Sequence, residues 1–430
     1  MMALTDHHSN FDRRAAHTLF GMLPEREQVF IHEQSRHYRF TQQELRQIVE
    51  MAMDFRAWHE MSICDAWPGE ISDNVSGKSA RRRVLDELRE IWYAFKNSGP
   101  GYQRFGPHTK PTPAKSALGV RHKQNLGLGD CPVVSSRTRC CNLMTLDAIE
   151  NCGFGCSYCS IQSFYRGDTI NFDLEFGAKL RALELDPNRI YHIGTGQSSD
   201  SLLWGNKHGV LQALLRFAHE HPNVILELKT KSKNVSYLLN NHVPANVLCT
   251  WSLNTPTIIT HEEHQTASLS DRLAAARKLA DRGVLVGFHF HPLVHYDTWR
   301  ADYARVFDLV LEQFDSAEVA LVSLGTLTFT RSVIRTIRSR RVKTKMLQMP
   351  LVDADGKLSY PEATKLELFR FAYRRLEPWH KKVFFYLCME NPRLWQPVFG
   401  FDYPSNDAFE IAMKSHYMDK IASAPLAVGL

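Results

Sequence analysis

No run of apolar residues in this 430-residue chain approaches the length of a membrane-spanning helix, since even its strand-like stretches break early. A helical membrane anchor is therefore not expected. The first residues, Met1-Met-Ala-Leu-Thr-Asp-His-His8, have neither the basic start nor the apolar middle of a secretory leader, so the expected compartment is the cytoplasm. There is no internal repeat and no low-complexity tract. A strong charge is lacking too: the formal net charge of +6 permits nucleic-acid binding without requiring it. Cysteine is sparse and odd in number, nine in all, which with no leader argues against a disulfide framework.

What remains is an ordinary globular composition, 44% apolar and 23% charged. The length suits one large domain with appendages, or two or three smaller ones. Basic residues are unevenly spread. They gather at 78–83, around Arg374, Arg375, Lys381 and Lys382, and above all at 331–345. That last tract holds Arg331, Arg335, Arg338, Arg340, Arg341, Lys343 and Lys345 with no acid among them. It reads either as a solvated helix face or as a surface that grips phosphates.

The densest signal is the loop Cys152-Gly-Phe-Gly-Cys156-Ser-Tyr158-Cys159, which spaces three thiols Cys-x3-Cys-x2-Cys among glycines. Small residues let such a loop turn three side chains inward onto one iron–sulfur cluster. Three ligands are one short of the four that close a cubane, so one iron stays open, as a catalytic zinc keeps a vacant position. The alternatives are a zinc knuckle and a disulfide set. Zinc usually takes a fourth Cys or His at short spacing, and none follows before His192.

The pattern divides the chain in three. Residues 1–140 read as a mainly helical extension with a linker at 98–118. Thr41 and Glu44 form a capping box before an apolar-periodic run, and Val84, Leu85, Leu88, Ile91, Trp92 and Phe95 make one stripe of a second helix. Residues 141–340 alternate short strands, at 144–151, 190–194, 224–228, 247–253, 284–289 and 318–324, with amphipathic helices. That alternation predicts an α/β fold, a partial six-stranded (β/α)6 barrel with the cysteine loop at its carboxyl edge. Residues 341–430 read as a mixed region that caps the barrel or contacts DNA, with a helix at 363–376. Its aromatics, at 384–386 and 395–403, suit packing more than base stacking.

The cysteine loop, with an aromatic before its last cysteine, resembles the signature of the radical S-adenosylmethionine (SAM) superfamily. Further stretches are Tyr191-His-Ile-Gly194-Thr-Gly196-Gln-Ser-Ser-Asp200, Lys229-Thr-Lys231-Ser-Lys-Asn234-Val and Trp251-Ser252-Leu-Asn254. Together, over residues 143–337, they resemble the spore photoproduct lyase family, radical SAM enzymes that repair a methylene-bridged thymine dimer in DNA. The resemblance implies a 4Fe–4S cluster on Cys152, Cys156 and Cys159, with SAM on the open iron beside Tyr158. It implies Lys231 as partner of the SAM carboxylate, Ser252 as a ribose or carboxylate contact, and backbone around Gly194 and Gly196 as acceptors for the ammonium. Damaged DNA is the implied substrate, and a flavodoxin or ferredoxin the implied electron donor. Read alone, Lys231 is equally a solvated lysine between Lys229 and Lys233, and Ser252 a strand-end hydroxyl.

The chain departs from the family at two places. The stretch 194–200, where the family holds a hydrogen-donating cysteine, has none, and the residue after Cys159 is Ser160 instead of tyrosine. A serine or threonine O–H is a poor hydrogen-atom donor. Cys249 and Tyr165 are the substitutes weighed, although Cys249 also reads as a small buried apolar residue. Cys131, Cys140 and Cys141, just before the first strand, are candidates for a second metal centre, but vicinal cysteines make a poor tetrahedral site. His289 and His291 alternate on one strand and share a face toward the barrel mouth.

Overall fold

The computed structural model describes residues 11–69, 77–103, 105, 117–131, 137–165, 167–340, 342–354 and 356–424. Most of the expected linker, Arg341 and residues 1–10 lie outside them. Two units divide the chain. One joins Met1–Pro107 to His295–Asp297 and Phe329–Asp353; the other comprises His108–Val294, Thr298–Thr328 and Ala354–Leu430. Both boundaries differ from those expected at 140 and 340. Among the described residues no helix is long and apolar enough to cross a membrane.

The first unit is helical. Its helices are α1 (Glu25–Tyr38), α2 (Gln42–Trp58) and α3 (Lys78–Asn97). Thr41 and Glu44 form the capping box that starts α2: Glu44 N–H donates to Thr41 Oγ1 at 3.3 Å, and Thr41 N–H to Glu44 Oε2 at 2.7 Å. Leu45, Ile48, Val49, Ala52 and Phe55 then fall on one buried stripe. The basic tract belongs to this unit and corrects the phosphate-facing expectation at two residues. On the helix Arg331–Ser339, Arg338 forks onto Asp54 of α2 with two bonds of 2.8 Å and reaches Glu50 at 2.8 Å. Lys345 is buried and bonds Glu60 at 2.7 Å. Arg331, Arg335 and Lys343 stay exposed.

The second unit is built on one sheet. Its strands are β1 (Leu128–Asp130), β2 (Met144–Leu146), β3 (Tyr191–Thr195), β4 (Val224–Thr230), β5 (Val247–Ser252), β6 (Val286–Leu293), β7 (Val319–Thr326) and β8 (Phe384–Leu387). They lie in the order β8-β7-β6-β5-β4-β3-β2-β1, and all pairs are parallel except β1 with β2. Parallel neighbours need crossovers. These carry α4 (Val210–Glu220) before β4, α5 (Leu269–Ala280) before β6, α6 (Trp299–Gln313) before β7 and α7 (Glu362–Arg375) before β8. The sheet has eight strands where six were expected. β1 is a three-residue piece of a Gly-containing stretch, and β8 is a wholly buried aromatic run without alternation, so neither carries a strand period.

The C-terminal aromatics pack inward. Trp395 is fully buried and meets Phe409 of α8 (Asn406–Ser423) edge-on at 5.0 Å, and Phe384 of β8 stacks on the same ring. Chain segments from the two edges of the sheet meet: Arg139 N–H donates to Glu390 O at 3.0 Å, and Cys140 N–H to Asn406 Oδ1 at 3.1 Å. The sheet is thus curled, and residues 139–142 bridge its opening.

Candidate active site

The cysteine loop leaves the carboxyl side of β2 and is pinned at its centre. Gly155–Cys156 pairs antiparallel with Glu263–His264, and Ser157 N–H donates to Glu262 O at 2.8 Å. Phe154 N–H points at Cys152 Sγ, 3.4 Å away, and Tyr165 Oη lies 3.7 Å from Cys159 Sγ. None of the three is in a disulfide. Burial pushes Cys152 well up, reinforced by Asp200 and by the neighbouring thiols, and pushes Cys156 to about 12 against the pull of Lys231. Burial thus disfavours the bare thiolates of Cys152 and Cys156, which a bound cation would stabilise. That donor set fits an iron–sulfur cluster, in number and in chemistry. Among the described residues no three His, Cys, Asp or Glu side chains surround a point as a single metal ion would need.

Behind the loop, Arg272 of α5 is fully buried. It donates to Ser252 O at 2.8 Å, Ala267 O at 2.9 Å and Thr266 Oγ1 at 2.7 Å, and pairs with the buried Glu263. Tyr158 Oη donates to the same Glu263 carboxylate, and Lys231 Nζ stands 5.8 Å over the Tyr158 ring. Burial would push the Glu263 carboxyl up; Arg272, Lys231 and the two hydrogen bonds outweigh it and hold it below its usual range. Tyr158, Lys231 and Ser252 are therefore brought together by an Arg272–Glu263 pair that sequence reading did not single out. Its trace in the sequence is an arginine beside Leu269, Leu273 and Ala276 on the buried face of α5.

The end of β4 is fixed by Asp200. Its carboxylate accepts from Thr230 Oγ1 and Lys231 N–H at 2.7 Å each, Leu203 N–H at 2.9 Å and Leu202 N–H at 3.0 Å. One side chain thereby ties the turn after β3 to the backbone of Lys231. Gly196, in that turn, has φ +81°, and a Cβ there would sit 2.6 Å from Lys229 O and from Ser201 Oγ. Gly196→Ala is accordingly expected to cost about 1–3 kcal/mol, read as a lowered denaturant midpoint. Gly194, on β3, packs against Leu143.

Alternation along β4 sets Glu227, Lys229 and Lys231 on one face. Glu227 is fully buried and accepts from His289 at 2.7 Å, Thr250 Oγ1 at 2.8 Å and His192 at 3.0 Å, with Lys229 Nζ at 3.6 Å. Burial opposes its charge, but Lys229 and the two imidazoles keep it ionised. Burial also lowers His192 and His289, and takes His291 down to about 3. Two neutral rings therefore donate their Nε2 protons to one carboxylate.

Thr250 reaches Glu227, so Ser252 shares that inner face while Cys249 and Trp251 point the other way. Cys249 is completely buried there, and burial raises its thiol to about 12. Of the two substitute donors, then, Tyr165 lies at the cysteine loop and Cys249 does not reach the inner face.

A family model described as spore photoproduct lyase matches residues 154–359. Spore photoproduct lyase of Geobacillus sp. is 25% identical over 198 residues, 44% of this chain and 58% of that protein. That of Clostridium acetobutylicum is 24% identical over 237 residues, 53% of this chain and 66% of that one. The match thus spans somewhat under two thirds of these curated relatives. Among solved structures, spore photoproduct lyase complexed with dinucleoside spore photoproduct has a TM-score of 0.55 at 21% identity, covering 70% of this chain and 94% of that one. A mutant with bound AdoMet and dinucleoside spore photoproduct gives a TM-score of 0.52 at 22% identity over the same shares, 70% and 94%. These structures share the fold. Over residues 154–359, a little under half of the chain, the sequence is similar to the spore photoproduct lyase family.

Proposed function

We propose that this chain is a radical SAM lyase that repairs a thymine photoproduct in DNA, with a 4Fe–4S cluster on Cys152, Cys156 and Cys159. One observation carries the reading: the three-cysteine loop carries Tyr158 beneath Lys231, and Tyr158 and Ser252 are both held by the Arg272–Glu263 pair. When bound, the cluster and SAM supply one-electron reduction and an organic radical source. The protein's own part is positioning. Lys231 takes the SAM carboxylate, with its backbone fixed by Asp200. Ser252 meets the ribose or the carboxylate, and the chain around Gly194 and Gly196 accepts from the ammonium. The exposed Arg331, Arg335 and Lys343 are candidate phosphate contacts, and a flavodoxin or ferredoxin is the candidate electron donor. An oxygen-sensitive cluster suits a reducing compartment such as the cytoplasm.

Lys231→Ala is expected to weaken SAM binding by about tenfold or more, the loss of one charge-assisted contact, measured as a raised Kd. The deciding experiment is 5′-deoxyadenosine release by the reduced, anaerobically reconstituted protein with SAM, comparing UV-irradiated and intact DNA. Stimulation by irradiated DNA, with thymine restored, supports lesion repair. Slow release indifferent to DNA overturns it. That second result would favour a radical SAM enzyme of a modified base or small molecule, a reading suggested by the absence of cysteine from 194–200.

A further inference from the structure

The helical unit holds a cavity of about 720 Å³, walled by the turn that leads into α1, the end of α2 with the turn after it, and the stretch 338–343. A volume of that size is ordinary for a small-molecule site. Much of the wall is apolar: Met22, Met53, Met61 and Phe55 all line it. Thioether side chains adapt their shape to a flat ring and make favourable contacts with it. The charged groups of the wall are mostly paired already. Arg338 is held by Asp54 and Glu50, and Glu60 accepts from Lys345 at 2.7 Å and Gln348 at 3.0 Å. Lys343 is exposed and has no ion-pair partner among the described residues.

Glu27 is the exception in that wall. It occupies the first turn of α1, where the helix dipole favours an anion. A carboxylate serving the dipole alone could stay in water, yet Glu27 is only 3% exposed. Its Oε1 accepts from Ser62 Oγ at 3.0 Å, and Arg56 Nη1 stands 3.5 Å away on a half-exposed side chain. Its Oε2 is buried and accepts no hydrogen bond among the described residues. An ionised carboxylate has about four acceptor positions, so half of this one's capacity is unused. A buried acceptor left without a donor is costly, and a ligand that brings donors removes the cost.

We propose that this cavity binds a guanine nucleotide, with the base edge on Glu27, the ring against the methionines and the phosphate on Lys343. The site asks for a donor edge, a flat apolar body and an anion in one molecule, which a nucleotide supplies. Among the DNA bases guanine alone shows two neighbouring donors, N1–H and the 2-amino group. Adenine and cytosine set one donor beside an acceptor, and thymine's single N–H lies between two carbonyls that the carboxylate would repel. The same chemistry comes as a free nucleotide or as an unpaired guanine within a strand. The lining residues belong to a different unit from Lys231 and Ser252, and nucleotide binding here is independent of lesion repair.

The test is equilibrium binding of GMP to the intact, cluster-loaded chain, with AMP, guanosine and a short single-stranded oligonucleotide containing guanine as comparisons. One GMP per chain is expected, held about tenfold or more tighter than AMP. Glu27→Gln should weaken GMP about tenfold or more and leave SAM affinity unchanged, the second reading showing that the variant is folded. Lys343→Ala, at an exposed position, should weaken GMP about two- to fivefold and leave guanosine unaffected. GMP should stay bound under saturating SAM and in Lys231→Ala. Displacement by SAM, or loss with Lys231→Ala, overturns the proposal, because the nucleotide would then occupy the cofactor site. So does equal affinity for GMP and AMP, or a Glu27→Gln chain that binds GMP as tightly as the wild type. Binding of neither GMP nor the oligonucleotide overturns it as well. Where Glu27→Gln weakens the oligonucleotide more than GMP, the occupant is a base within a strand; where it weakens GMP more, a free nucleotide. Either result supports the site.

Discussion

Arg272→Met is expected to destabilise the barrel unit by about 3–5 kcal/mol, the cost of leaving one member of a buried ion pair alone. Methionine keeps much of the bulk of the side chain but none of its charge. Glu263, itself only 3% exposed, would then hold a carboxylate with no guanidinium. Ser252 O and Ala267 O would also lose their donor. The damage reaches the site, since Tyr158 and Ser252 depend on the same pair. SAM affinity should therefore fall along with the guanidinium midpoint. The double variant Arg272→Met with Glu263→Gln should recover part of the stability, because the stranded charge is gone. A loss under about 1 kcal/mol for the single variant would show that the pair is not the support described here.

Acid should act on the same unit through its interior histidines. An unfolded histidine gains its proton near pH 6.5, whereas burial lowers His192, His289 and His291 in the fold. Below that pH the unfolded chain binds more protons than the native one. Stability is therefore full above the ordinary histidine range and is lost as pH falls beneath it. For His291, lowered to about 3, the loss continues through pH 5 and reaches at most about 2 kcal/mol there. Glu227, held below the usual carboxylate range, adds a further loss as pH falls through that range. Denaturant unfolding at pH 7.5 and 5.0 reads the sum. His291→Gln should flatten the slope between them, and an unchanged slope would mean that this ring is not kept neutral by the fold.

The parts of the fold written in local periodicity were legible. The Thr41–Glu44 capping box, the stripe of α3 and the positions of β3 to β7 follow from spacing alone. β8 was not, because Phe384, Phe385 and Tyr386 are buried on both faces and look the same in a strand or an aromatic cluster. The cysteine loop announced itself through three ligands in one short stretch. Its support did not: Tyr158 and Glu263, or Asp200 and Lys231, meet only after a crossover has folded. In the tract at 331–345, the pairing of Arg338 was hidden for the same reason. Nothing in a run of arginines reveals that Asp54 and Glu50, far upstream, will face Arg338.

The order of strands has a consequence during synthesis. β7 is complete at Thr326, but its neighbour β8 begins only at Phe384, so the ribosome must deliver two helices and several shorter pieces in between. Throughout that interval a strand that ends wholly buried has one row of amides and carbonyls unpaired, the surface on which nascent chains misassociate. Slow codons placed between those strands should therefore lower the soluble yield more than the same codons placed after Leu387.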